Sequence, residues 1–163
     1  MGSLSWLTFL VITGILALSP FAMLMGAVRW LARKSKPFAF FLCHHKSRSG
    51  AYTRLMKMSL KEALRSHKDV FLDSDNLDNL DRLFDYVANE TSMLVVVVSE
   101  AVFTRPWCVG EICTAMARDV AVMLVALPSA VFPDELFIEQ VENRIANLEE
   151  LTEQGIGREH LRE

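Results

Sequence analysis

The stretch "MLVVVVS", Met93–Ser99, constrains the fold more tightly than any other part of the chain. It has no polar alternation, and its middle is a run of β-branched valines. A strand with one wet face alternates apolar with polar side chains. A strand covered on both faces reads as a continuous apolar run, and such strands belong to parallel sheets flanked by helices. A parallel neighbour cannot be reached by a tight hairpin, so crossover helices must lie before and after this segment.

The flanking sequence supplies them. "FAFFLC", Phe38–Cys43, and "DVFLD", Asp69–Asp73, are short apolar runs that predict strands, and "VAVMLVAL", Val120–Leu127, predicts a fourth. Between them, Ala51–His67 carries Met56, Leu60, Ala63 and Leu64 on one helical face. Asn79–Glu90 places Leu80, Leu83, Phe84 and Val87 at i, i+3, i+4 and i+7. "VGEICTAMA" repeats the stripe at Val109, Ile112, Cys113 and Met116. After Pro128 and Pro133, residues 135–151 predict one long amphipathic helix using Phe137, Val141, Ile145 and Leu148. Strands alternating with helices predict an α/β fold: a flavodoxin-like parallel sheet of four to five strands wrapped by helices, over residues 38–151, with a polar tail at 152–163.

In such sheets ligands bind beyond the carboxyl ends of the strands, where the strand order reverses. For a flavodoxin-like order that point lies between the first and third strands. The first runs out into "CHHKSRSG", Cys43–Gly50, and the third into "SEAVFTRPWCVGE", Ser99–Glu111. The topology therefore brings Glu111 towards a basic loop carrying His44, His45, Lys46 and Arg48.

Hydrophobic residues make up 52% of the 163, and mean hydropathy is +0.25. The excess lies at the start: residues 4–28 contain no charge. About 20 apolar residues cross a bilayer, so this segment predicts one transmembrane helix before the sheet, with Trp6 and Trp30 near its ends. A cleaved leader would have a basic start and a shorter apolar run. N-myristoylation would want Ser or Thr where Trp6 stands. The linker 29–37 is basic, through Arg29, Arg33, Lys34 and Lys36, and nothing basic precedes the span. The expectation is a single-pass membrane protein whose C-terminal domain is cytoplasmic. The sequon Asn89-Glu90-Thr91 is then expected to stay unmodified. A net charge of -3 gives no sign of nucleic-acid binding.

Several tempting features have plainer readings. Cys43, Cys108 and Cys113 are an odd set without zinc-like spacing and read as reduced, packed thiols. His44 and His45 are adjacent at a strand end and point to opposite sides, so they do not chelate, and no metal is expected. "DSDNLD" has Leu77 where a calcium loop needs a ligand and reads as a solvated acidic loop. Gly155 and Gly157 are too few for a dinucleotide fingerprint. Trp107 can stack on a ligand or simply cover the sheet.

In order, "FAFFLCHHK", "DVFLDSDNLDNL", "MLVVVVSEAVFTRPWCVGEI" and "VAVMLVAL" resemble the TIR family, the Toll/interleukin-receptor-type domains. The most specific part is Ser99 followed by Trp107, Cys108 and Glu111; Phe71–Asp73 is a second match. The segment after Asp73 departs from the family in lacking a glycine. The resemblance implies a five-stranded flavodoxin-like sheet and one of two functions. Some members are scaffolds that act by homotypic contact with other TIR domains. Others, when self-associated, cleave NAD at the nicotinamide–ribose bond with the glutamate that matches Glu111. NAD would be a substrate, with no separate cofactor. Lys46 or Arg48 would meet its pyrophosphate, Trp107 would wall the pocket, and His44, Asp73 and Ser99 would complete the binding site. A receiver-like nucleotide domain is a third reading. It lacks the lysine expected at the end of the fourth strand.

Overall fold

The computed structural model describes residues 36–64, 67–76, 80–145, 147–153 and 156, together with 6, 8, 10, 13, 20 and 23–28. The chain falls into two compact units, Met1–Ser35 and Lys36–Glu163. In the first unit Met23–Val28 is helical, and Trp6, Leu10, Met23 and Leu24 are exposed. Among the described residues no helix is long and apolar enough to cross a membrane. Most of the expected span 4–28, the basic segment 29–35 and the tail beyond 156 lie outside the described residues.

The second unit is a parallel sheet with the order β2-β1-β3-β4. Its strands are β1 (Phe38–His44), β2 (Asp69–Phe71), β3 (Thr91–Val98) and β4 (Ala121–Ala126). All three pairings are parallel, as the unbroken valine run requires, and the order is flavodoxin-like. β1 and β3 are the central pair, with His44 opposite Val97 and Cys43 opposite Val96. Four strands are present among the described residues, the lower end of the expected four to five.

The first helix, α1 (Lys46–Ala63), starts five residues before the expected Ala51 and stops short of the expected His67; it turns Met56 and Leu60 onto the sheet, beside Leu42, Val70, Leu72 and Val95. The α2 turn (Asp73–Asn76) follows β2 directly, so Asp73 opens a helix instead of ending a strand. The helix expected over Asn79–Glu90 is a succession: a 3-10 turn at Leu80–Arg82, α3 (Leu83–Asp85) and a π turn at Tyr86–Glu90. The wider π turn lets neighbouring Tyr86 and Val87 both face the core, where Tyr86 packs 4.8 Å from Phe71.

After a 3-10 turn at Val102–Thr104, α4 (Pro106–Ala117) has proline in its first turn, where no amide hydrogen is needed. Val109 and Cys113 are buried as expected, but Met116 is 54% exposed. The helix ends in a Schellman-type turn: Val120 N–H donates to Ala115 C=O and Asp119 N–H to Met116 C=O. The left-handed position is taken by Asp119, at φ 54°.

The single long C-terminal helix is not found. Residues 135–151 are divided among α5 (Glu135–Glu139), α6 (Val141–Arg144) and α7 (Leu148–Glu153). Asp134 caps α5 by accepting from Phe137 N–H, and Asn147, at φ 52°, stops the chain from continuing as a helix. The break still buries Val141, Ile145 and Leu151 against Val109 and Cys113. It also brings Leu151 close to Gly110. A Cβ on Gly110 would lie 2.5 Å from Phe84 Cζ and 2.8 Å from Leu151 Cδ2, so only glycine allows this approach. Lys36, placed by the sequence in the linker, belongs to the domain, since its Nζ donates to the carbonyls of Ala88 and Thr91.

Candidate functional site

Glu111 lies on the second turn of α4, past the carboxyl ends of β1 and β3, and faces inward with 5% of its surface exposed. Among the described residues, two buried side-chain oxygens have no hydrogen-bond partner: Glu111 Oε2 and Ser99 Oγ. Ser99 directly follows β3 and is fully buried. Unsatisfied buried oxygens are uncommon in native proteins, each costing about 1–3 kcal/mol. Here both lie at the strand ends where the sheet order reverses.

Burial pushes the Glu111 carboxyl up to about 8 from its ordinary 4.5. The Cys43 thiol in hydrogen-bond reach opposes this, nearby Asp73 adds to it, and Arg105 and Lys46 oppose it. At neutral pH the group is therefore mostly protonated. Burial also raises the Cys43 thiol, and the Cys108 and Glu111 side chains reinforce it.

His44 is buried, with its Nδ1 3.4 Å from the carbonyl oxygen of Leu42, and burial lowers its affinity for a proton. His45 turns the other way, towards the Ser47 hydroxyl at 3.2 Å, as expected of adjacent strand-end residues. Lys46 and Arg48 are already paired: Lys46 Nζ lies 3.0 Å from Asp73, and Arg48 lies 3.4 Å from Glu100. A diphosphate would have to compete with both carboxylates. Trp107 stacks on Phe84 with centroids 5.6 Å apart. The acidic segment after β2 is more than solvated charge. Asp75 accepts from Arg54 and from Lys57, which is 8% exposed in its side chain, and Lys57 also donates to Asn76.

Among the described residues, clefts open on the domain, two of which lie near the residues discussed. The larger, of about 610 Å³, has His44, Lys46, Gly50, Leu55, Met58 and Ser74 in its wall. The other, of about 350 Å³, lies between Phe84, Asn89, Cys113 and Arg118. Glu111 is in neither wall. Lys46, in the wall of the larger cleft, and Asp73, paired with it, lie within electrostatic reach of Glu111. The sequence did not single out Arg105, which precedes Pro106 and acts on Glu111, His44 and His45 together. Its position just before the helix-opening proline was the available signal.

The cysteines are free and buried, in keeping with reduced thiols. Two of them do more than fill space. Cys108 Sγ donates to His44 C=O at 3.3 Å and Cys43 Sγ to Cys108 C=O at 3.8 Å, tying α4 to the end of β1 beside Glu111.

No family model matches the chain, and no curated protein matches it. Among solved structures it is similar to the TIR domains of the activated Roq1 resistosome, a complex that directly recognises the pathogen effector XopQ. That likeness is 14% in identity with a TM-score of 0.43, and it covers 77% of this chain and 81% of the other. A likeness of that size carries no weight for function, which rests on the residues of the site.

Proposed function

We propose that this chain is a membrane-anchored TIR-type signalling domain that cleaves NAD at the nicotinamide–ribose bond when it self-associates, with Glu111 as the catalytic carboxylate. One observation carries the reading: a buried carboxyl with one oxygen left without a hydrogen-bond partner, at the reversal point of a flavodoxin-like sheet. Strongly shifted acids in such places are characteristic of functional sites.

The chemistry suits a single carboxylate. Loss of nicotinamide builds positive charge on the ribose, as in glycosidic cleavage. A carboxylate held against that sugar stabilises the charge as it develops. Nicotinamide leaves as a neutral molecule from a cationic ring, so no general acid is needed, and water then takes the open ribose carbon. His44 and Lys46 in the wall of the larger cleft, with Asp73 beside Lys46, would orient the dinucleotide, with Arg105 favouring the ionised form of Glu111. Trp107 and Ser99 would wall the pocket.

In the isolated chain Glu111 is sealed and mostly protonated. Activity therefore requires an event that admits the ribose and lets the carboxyl ionise, and contact between copies supplies one. The exposed apolar side chains of Val122, Met123 and Leu124 on edge strand β4 favour such contact. They also support the second reading, a scaffold that acts by homotypic contact without catalysis. Anchoring rests on the charge-free residues 4–28, which would set the domain at the cytoplasmic face.

The test is nicotinamide release by the full chain, at high concentration and clustered on lipid vesicles. The enzyme reading expects release that falls at least about 100-fold in Glu111→Gln. Clustered protein that releases none leaves the scaffold.

A further inference from the structure

We propose that Cys43, Cys108 and Glu111 form a buried site for a thiophilic divalent cation, with zinc the metal their chemistry fits. The ligand atoms of these three side chains lie within 4.8 Å of one another, and all three residues are buried. Glu111 Oε2 has no partner of its own. Neither cysteine is in a disulfide. The sulfur hydrogen bonds, at 3.3 and 3.8 Å to carbonyl oxygens, are weak ones that a metal would readily replace.

The fold builds this set from two places. Cys43 comes from β1, one residue before its end, and Cys108 and Glu111 stand at i and i+3 on α4. That spacing puts both on one helical face. The spacing Cys43 to Cys108 is unlike a zinc ribbon or finger, which is why the sequence shows no zinc pattern. Zinc bonds thiolate sulfur at about 2.3 Å and carboxylate oxygen at about 2.0–2.2 Å, so tetrahedral ligand atoms sit roughly 3.5–3.8 Å apart. From 4.8 Å the side chains need to close by about 1.3 Å at most. Two sulfurs and one carboxylate favour zinc over the oxygen-seeking magnesium and calcium. Three protein ligands leave a fourth position for water or a small ligand.

The charges balance as well. The metal requires both thiols and the carboxyl to give up their protons. Two thiolates and a carboxylate with a dication leave one net negative charge, facing Arg105 and Lys46, which already act on Glu111.

Zinc on Glu111 would occupy the carboxylate that the proposed NAD cleavage uses, so the metal-loaded chain is expected not to turn NAD over, and the test here reads the metal directly. The full chain is stripped with a chelator and then titrated with zinc and, separately, with cobalt(II). The expected result is one metal per chain and, with cobalt, a thiolate-to-metal charge-transfer band. Cys43→Ser and Cys108→Ser should each weaken that band and lower affinity at least about 10-fold, while Cys113→Ser leaves both unchanged. Should a cysteine variant fail to fold, Glu111→Gln, which keeps the shape, should still lower zinc affinity while circular dichroism is unchanged. The proposal is overturned if cobalt gives no thiolate band, or if Cys113→Ser removes it as fully as Cys43→Ser. It is also overturned if the purified chain carries a Cys43–Cys108 disulfide that excludes metal.

Discussion

Lys57 on α1 and Glu111 on α4 are both ionisable and both nearly inaccessible, at 7% and 5% exposure, yet their surroundings are opposite. Lys57 is held by Asp75 at 3.1 Å and by Asn76 at 2.7 Å, and Asn76 in turn accepts from Leu72 N–H. Its charge fixes α1 to the turn after β2. Glu111 keeps an oxygen with no partner, and burial has driven its proton affinity up. Burial of a charged residue therefore does not by itself point to function. A satisfied buried charge is architecture, and an unsatisfied one at a strand-end crevice is a place for chemistry.

The largest effect that would break this contrast concerns pH. The folded Glu111 carboxyl titrates near 8, above its ordinary 4.5, so the native state keeps a proton that the unfolded chain has lost. That contribution to stability is fully present below about 4.5 and is lost as pH rises through about 8. In metal-free protein, denaturant titrations across this window should show a decline of a few kcal/mol that Glu111→Gln flattens. An equal decline in the variant would place its origin elsewhere.

On the other side of the contrast, Asp75→Ala removes the carboxylate from Lys57 and leaves a buried ammonium held only by Asn76. Destabilisation of about 3 kcal/mol is expected, measurable by urea unfolding. Lys57→Met, which removes the charge and keeps the volume, should be milder. If Lys57→Met were the worse of the two, the pairing would not be what burial demands.

Smaller effects sharpen the packing around Glu111. Gly110→Ala pushes a methyl group into Phe84, which is itself stacked on Trp107, and into Leu151. The expected loss is about 1–3 kcal/mol, read as a lower melting temperature. Asp119→Gly relieves the left-handed turn that closes α4 and should stabilise the fold by about 0.5 kcal/mol, leaving the site untouched.

Much of this organisation was legible in residue order. The valine run gave a central, doubly covered strand, and the alternation of strands and helices gave the parallel order. Together they brought Glu111 towards the carboxyl ends of β1 and β3 without coordinates. What remained hidden depends on distance. Lys46 and Arg48 read as free cations because Asp73 and Glu100 become their partners only through folding. Cys43 and Cys108 meet because β1 and α4 converge. The C-terminal helix divides at Gln140 and again where Ile145 is extended and Asn147 left-handed, backbone changes that helical periodicity does not register. Met116 lies on the predicted apolar stripe but faces out, since α4 rotates to bury Glu111 and Ala115.

The most direct test is a carboxyl carbon-13 titration of Glu111 in the metal-free full chain, assigned by its disappearance in Glu111→Gln. A sealed acid with one oxygen unsatisfied predicts a midpoint near 8. A midpoint near 4.5 would mean a solvated or paired carboxylate and would contradict the account.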